Sequence, residues 1–250
     1  MDFSSALRQL SEMQKPPRGV SLYARFVNRP AGRLLAATAH RAGLSPNHVT
    51  AVSALITFGA ITAIAVHPPS PALGQGVTLA LLLGFALDSA DGQLARLHRS
   101  ASLSGEWFDH VMDCAKLLGV HAAVLISFYR FFDLPRPALL LIPIAFQFTA
   151  VLLFFGGILA EQLRGRRGGP VAPPSALRGM ALLPVDYGLL CLSFLFLGSQ
   201  RLFLALYLTL FTAHVVLLSA FLAKWFRELT RANADAGAGA VRHEDARDIA

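Results

Sequence analysis

The sequence predicts an all-α polytopic membrane protein: six transmembrane helices preceded by an N-terminal amphipathic juxtamembrane helix. Three observations predict it. Hydrophobic residues make up 54% of the 250 and charged residues only 15%, with a mean hydropathy of +0.53, which is the composition of chains that live in lipid. Apolar stretches long enough to cross about 30 Å of hydrocarbon, which takes roughly 20 helical residues, recur six times. The 22 Lys and Arg gather between these stretches rather than along them.

In chain order, the first twenty residues are polar and show no apolar run ending in a small-residue cleavage site, so the spans themselves are expected to direct insertion. Residues 21–42 mix Tyr23, Phe26, Val27, Leu34 and Leu35 with Arg25, Arg29, Arg33 and Arg41, the pattern of a helix lying on the membrane surface, with a short soluble cap as the plainer alternative. The six spans are expected at 49–66, 72–94, 108–128, 138–160, 180–197 and 202–225. Breakers and charge separate them: "HPPSP" after the first, "DLPRP" before the fourth, "GRRGGPVAPPS" before the fifth and "GSQR" before the sixth. The chain then divides into an N-terminal cytoplasmic segment (1–47), a transmembrane catalytic unit (48–226) and a cytoplasmic tail (227–250), which has little to bury and is expected to be disordered.

Of the 22 basic residues, all but Lys116, Arg130, Arg136 and Arg201 fall before span one, between spans two and three, between spans four and five, or at the end of span six. The positive-inside rule therefore places both termini, and the ends of spans two and three that meet, in the cytoplasm, in a membrane of bacterial cytoplasmic type. The net charge of +7 is read as topology rather than as a nucleic-acid face, and no nucleic acid is expected as a partner. Cys114 and Cys191 lie far apart in apolar runs and indicate neither a disulfide nor a thiolate site. His98, His110, His121 and His214 show no metal-ligand spacing with one another.

Four aspartates stand inside spans two and three. A charge at a helix centre costs about 2.5–3.5 kcal/mol on insertion scales, so Asp88, Asp91, Asp109 and Asp113 require a compensating partner. Asp88 and Asp91 share a helix face with Ala95, Gly92 follows one turn after Asp88, and Gly105, Asp109 and Asp113 fall at i, i+4 and i+8 on the next span. The two pairs can face each other across a hairpin. Like charges about 4 Å apart repel by about 4 kcal/mol at an effective dielectric of 20, and two divalent cations would cancel the four charges. All-oxygen ligation suits Mg²⁺ or Mn²⁺, which keep positions open for phosphate oxygens. Gly92, Ala95 and Gly105 leave room beside the backbone, and Arg96 offers a planar cation for phosphate, so a phosphoanhydride is the expected ligand. The plainer reading of each residue alone is close helix packing for the small residues and topology for Arg96. A carboxylate-lined cation transporter would also put acids in spans, but gives no reason for Gly92, Ala95, Arg96 and Gly105 at these offsets.

The string Asp88-x2-Asp91-Gly92-x2-Ala95-Arg96-x8-Gly105-x3-Asp109-x3-Asp113 resembles, at all eight positions, the signature of the CDP-alcohol phosphotransferase (phosphatidyltransferase) family. The resemblance implies a membrane transferase of phospholipid biosynthesis in which Asp88, Asp91, Asp109 and Asp113 hold two Mg²⁺ or Mn²⁺ ions over a CDP pyrophosphate and an acceptor hydroxyl displaces CMP. It implies nucleotide contacts for Asp88, Gly92, Ala95, Arg96 and Gly105. "SPNHVT" is similar to the family's Pro-Asn-x-x-Thr element and adds Asn47 and Thr50, whose other reading is that one of them caps the first span. The resemblance makes Asp113 the base for the acceptor hydroxyl, with Glu106, together with His110, as its rival.

The donor expected is CDP-diacylglycerol, and the acceptor a polar alcohol such as inositol phosphate or glycerol phosphate. "YARFVNRPAGR" looks like the stretch before the first span in inositol-phosphate-type members. "GEWFDHVMD" instead resembles the choline/ethanolamine branch, which moves a phosphoamino alcohol onto diacylglycerol. Arg164, Arg166, Arg167 and Lys116 are the cations expected near the acceptor, Lys116 also serving charge balance. A homodimer is allowed for.

Overall fold

The computed structural model describes residues 2–14, 20–100, 102–165 and 180–248, the last stretch as backbone only beyond residue 231. All regular structure among the described residues is helical. The first helix, α1 (Phe3–Glu12), has no counterpart in the expectations above. Asp2 caps it by accepting from the Ser5 N–H at 3.2 Å, and it buries Ala6 and Leu10, an i, i+4 pair. A widened turn at Ala24–Asn28 leads into α2 (Arg29–Arg41). Pro30 explains the widening: its ring collides with the carbonyl four residues back, and a π-type turn relieves that collision. Phe26, Val27 and Leu34 are exposed on this segment, as an interfacial helix requires.

The spanning helices follow. α3 (Pro46–Val66), α4 (Pro71–Leu97), α5 (Leu103–Phe131) and α6 (Leu141–Gly165) alternate in direction, and α8 (Gln200–Asp248) closes the bundle. Among the described residues, five helices are long and apolar enough to cross a membrane: α3, α4, α5, the 137–164 helix containing α6, and the first part of α8. The fifth crossing, expected at 180–197, is shorter. It consists of α7 (Tyr187–Ser193) and one tight turn at Phe194–Phe196, about 15 Å of helix. Pro184 in the turn at Leu183–Val185 delays its start, and Asp186 then caps α7 by accepting from the Gly188 N–H at 2.6 Å. Its position still makes it a crossing. Arg164 at the end of α6 pairs with Glu228 on α8 at one end of the bundle, while at the other end Gln200 accepts from the Asp133 N–H and donates to the Phe131 carbonyl. The chain must therefore pass between the two ends through α7.

Beyond the bundle, α8 continues as helix to Asp248. Its Ala, Arg and Glu are strong helix formers, and no proline interrupts the run.

Two cores hold the helices. An alanine-rich core joins α1, α2 and α4 through Ala6, Leu10, Ala36, Ala37, Ala90 and Leu94. An aromatic core around Phe128, Phe146, Phe194, Phe203 and Tyr207 joins α5 to α8. Between α3 and α4 the backbones approach closely at Gly84, whose added Cβ would collide with the Thr57 hydroxyl, and the Gly84 carbonyl accepts from Ser53 Oγ at 2.8 Å.

Candidate active site

The α4–α5 hairpin brings the aspartates together. α4 ends at Leu97, the chain reverses through Arg99 at φ +52°, and Ser100 N–H closes the turn on the Ala95 carbonyl at 3.0 Å. Ser102 then caps α5 by accepting from the Gly105 N–H at 3.1 Å. This short return sets the last turns of α4 against the first turns of α5. One oxygen each from Asp88, Asp91 and Asp109 lies within 4.8 Å of the others, and Asp109, His110 and Asp113 form a second such group.

Buried polar side chains fix the carboxylates. Asp91, only 5% exposed, accepts a 2.6 Å hydrogen bond from Thr50 Oγ1 on α3. Lys116, one turn beyond Asp113, is buried and bridges the two spans: its ammonium donates to Asp88, to Asp113 at 3.2 Å and to Ser53 Oγ at 3.4 Å. One lysine among four carboxylates leaves a formal excess of negative charge. Repulsion of about 4 kcal/mol per close pair at an effective dielectric of 20 gives such a cluster a strong affinity for cations. The first group's donor set is all oxygen, drawn from two helices, with Asp88 and Asp109 only part-buried. These residues fit a hard divalent ion that keeps open positions for phosphate oxygens.

The other residues to which the sequence pointed fall into three sets around this cluster. Gly92 has open space where a side chain would be, the nearest atom to an added Cβ being Arg96 Nη1 at 3.8 Å. Arg96 and Ala95 are half-buried on the last turn of α4. The added Cβ of Gly105 would instead press on its own capping hydroxyl, Ser102 Oγ, at 3.1 Å, so this glycine at least serves the start of α5. Asn47 is exposed in the first turn of α3. Neither it nor Thr50 caps that helix. Ser45 does, accepting from the His48 N–H at 3.3 Å while His48 Nδ1 accepts from the Ser45 N–H, a capping box with histidine in the place of the usual acid. Thr50 is thereby released to bond Asp91.

Glu106 is exposed on the first turn of α5, with its carboxylate 3.9 Å from His110 Nε2. Arg164 pairs with Glu228 at 2.9 Å. Arg166 and Arg167 lie outside the described residues.

Sequence reasoning missed the partnership of His110 with Asp109 and Asp113, although its position at i+1 and i−3 from them was the available signal. It also missed Ser53, a serine in an apolar helix whose partner sits 31 residues away, and that pairing has no sequence signature.

A cluster of carboxylates held by polar side chains at one end of a polytopic helix bundle defines a site whose oxygens could hold a cation. The family model for CDP-alcohol phosphatidyltransferase matches residues 43–223, and the chain belongs to that family. It is accordingly an integral membrane enzyme of phospholipid biosynthesis, a transferase of phosphate-containing groups from a CDP-alcohol to an alcohol. The matched span runs from α3 into α8 and leaves α1 and α2 outside. A comparison with curated proteins gives no match. Family membership sets the cation-transporter reading aside.

Proposed function

We propose that the protein transfers the phosphatidyl group of CDP-diacylglycerol to a hydroxyl of a polar acceptor, in a reaction that depends on Mg²⁺ or Mn²⁺ and releases CMP. The observation that carries this reading is the convergence of Asp88, Asp91 and Asp109 on one point, with Lys116 linking Asp88 to Asp113. Asp88, Asp91, Asp109 and Asp113 would hold two ions, which supply charge neutralisation to the pyrophosphate and to the departing CMP. Thr50 orients Asp91 through its hydroxyl. Arg96, with the open space beside Gly92, receives the nucleotide phosphates, and Asn47 at the start of α3 contacts the nucleotide.

Asp113 takes the acceptor's proton. One of its oxygens accepts from Lys116, and the other receives the hydroxyl proton as the new O–P bond forms and the bond from phosphorus to the CMP oxygen breaks. Such general-base assistance contributes roughly 10²–10⁴-fold. Residues 48–226 form the catalytic unit, with the aspartate end, residues 1–47 and the tail in the cytoplasm, as the distribution of arginines supports.

A second reading has its own observation. Glu106 and His110 stand together at the start of α5, and His110 joins Asp109 and Asp113, which favours the amino-alcohol branch with Glu106 as the base. One assay separates the two. CMP release by the purified protein from CDP-diacylglycerol, but not from CDP-choline or CDP-ethanolamine, supports the phosphatidyl reading, and the reverse pattern sinks it. Asp88→Asn and Asp109→Asn should each lower turnover by at least about 10²–10³-fold with the fold intact, and full activity in excess chelator would remove the metal from the account. Asp113→Asn with near-normal turnover, beside an inactive Glu106→Gln, would move the base to Glu106.

A further inference from the structure

Lys116 divides the four carboxylates into two unequal sets. Asp88, Asp91 and Asp109 present oxygens within 4.8 Å of one another, and Thr50 holds Asp91 in place at 2.6 Å. Asp113 is joined to Asp88 through the lysine instead. The ammonium donates to Asp88 on α4, to Asp113 on its own helix at 3.2 Å and to Ser53 Oγ on α3 at 3.4 Å, which matches its three N–H donors with three acceptors. Its side chain is 5% exposed, against 16% for Asp88 and 28% for Asp113. It therefore reaches the carboxylates from inside the bundle and leaves their accessible sides to whatever arrives from outside.

The first set can hold a divalent ion with Lys116 where it stands. A second ion cannot avoid the lysine. Held by Asp113 with Asp109 and His110, or by Asp113 with Asp88, it would take a ligand to which the ammonium is already bonded. Formal charge then sets an order of arrival. Four carboxylates against one ammonium leave three negative charges, and one divalent ion leaves one. A second ion would turn the site positive, with two cations pressed on the same carboxylates at weak screening. The two negative charges of a pyrophosphate diester reverse that sign.

We propose that the Lys116 ammonium stands in for the second ion at Asp88 and Asp113 until the donor's pyrophosphate binds, so that the second divalent ion enters the site together with the donor. The inference rests on the transferase reading above and concerns how that site loads. Lysine suits the task because its ammonium is a compact charge on a flexible stem. Its bond to Asp88 can be given up while those to Asp113, one turn away on the same helix, and to the uncharged Ser53 hydroxyl persist. Lys116 is thus a positioning residue, acting on the reaction through the second ion.

The test uses the full chain in phosphatidylcholine nanodiscs, with Mn²⁺ as the ion, CDP-diacylglycerol without acceptor as the donor, and protein-free nanodiscs with the same lipids as the blank. EPR counts bound Mn²⁺, and two neighbouring ions also broaden each other's signal. The wild type without donor should bind one ion. One equivalent of donor should bring in a second at least about tenfold more tightly, within the range usual for coupled sites, and Mn²⁺ must tighten the donor by the same factor. Lys116→Met, purified in Mn²⁺, should bind two ions without donor, because two ions then match four carboxylates, and its donor coupling should fall below about threefold. Should this variant not fold, the wild-type counts with and without donor decide alone. Two ions of equal affinity in the donor-free wild type, one ion in the wild type whether or not donor is present, or equal counts in the two donor-free proteins would overturn the proposal. None of the counts requires turnover. Donor-coupled loading that is lost in Lys116→Met, in a protein that releases no CMP from any CDP-alcohol, would keep the role of the lysine and remove the transferase reading, whereas CMP release with both ions bound ahead of the donor would do the reverse.

Discussion

The two ends of the helix bundle are held by opposite means. At the aspartate end, small residues let helices touch: Gly32 lies so close to α4 that an added Cβ would stand 2.7 Å from Ser89 Oγ, and Ala36, Ala37, Ala39 and Ala90 fill the contact. The polar groups there are bonded to one another, from Gln14 and Gln93 at 2.8 Å to Thr50 and Asp91. Away from the aspartates, bulk replaces closeness, and Phe128, Phe194, Phe203 and Tyr207 pack ring against ring at 5.3–6.1 Å. In lipid no hydrophobic force draws helices together, so association rests on packing and on interhelical hydrogen bonds. Small residues give the precision that carboxylates on two helices need to converge. Aromatic rings leave gaps, and a cavity of about 240 Å³ borders them at His121 and Leu190.

If the aspartate end depends on charge compensation, removing its cation should produce the largest stability effect. Lys116→Met leaves Asp88 and Asp113 without their shared partner, and breaking a buried pair from one side costs about 3–5 kcal/mol. Thermal unfolding should show a marked loss in chelator and a large recovery with Mn²⁺, because the ion supplies the missing charge. A loss that Mn²⁺ does not reverse would mean that Lys116 contributes packing rather than charge. The aromatic end gives the contrasting result. Phe203→Ala empties a fully buried position between Phe128, Phe194 and Tyr207, at a cost of about 3–5 kcal/mol, and Mn²⁺ should return none of the loss beyond its effect on the wild type. Equal rescue of both variants would erase the distinction between the ends.

A smaller effect tests closeness itself. Gly84→Val places a branched side chain against Thr57 and the Ser53 carbonyl, 3.4 Å from an added Cβ. Overpacking of this kind costs about 1–3 kcal/mol. Because Ser53 also bonds Lys116, CMP release should fall more than stability alone explains. A variant that is destabilised yet fully active at low temperature would detach the α3–α4 contact from the site.

What could be read from the sequence follows the same division. The aspartate end was legible because its logic is local: i+3 and i+4 spacings on two consecutive helices, joined by a short turn, leave little choice of geometry. The interfacial helix at 21–42 was legible from its mixture of arginine and aromatic residues, although the widened turn ahead of Pro30 was not. Helix α1 was hidden because its apolar face is only Phe3, Ala6, Leu7 and Leu10, too narrow to stand out in a polar segment. The fifth span was placed correctly and drawn too long, since Pro184 and Asp186 were counted inside a run that they interrupt. The cavity was invisible, because Leu117 and His121, Leu153 and Phe154, Tyr187 and His214 come from four helices whose mutual rotation no spacing encodes.

The smallest expected effect concerns how the unmatched N-terminal helices hold to the catalytic hairpin. His40, in the last turn of α2, and His98, just after α4, meet at 2.8 Å between Nδ1 and Nε2. One ring must donate and the other accept, so the contact fails when both carry two protons. Burial, and then the neighbouring His98, holds the His40 imidazole below its ordinary pKa. A histidine whose folded pKa is depressed contributes stability that is complete above the unfolded value, near 6.5, and is lost as pH falls from there through the folded value. The contact is largely exposed, so its contribution is under about 1 kcal/mol. His40→Gln keeps a polar side chain that does not titrate. The stability advantage of the wild type over this variant should therefore be present at pH 7.5 and shrink toward pH 5.5, with pH effects elsewhere cancelling in the difference. Proteolysis between α1 and α2 should increase over the same interval in the wild type alone. A difference that stays constant across that range would show that α2 is held by its alanine contacts without help from the histidine pair.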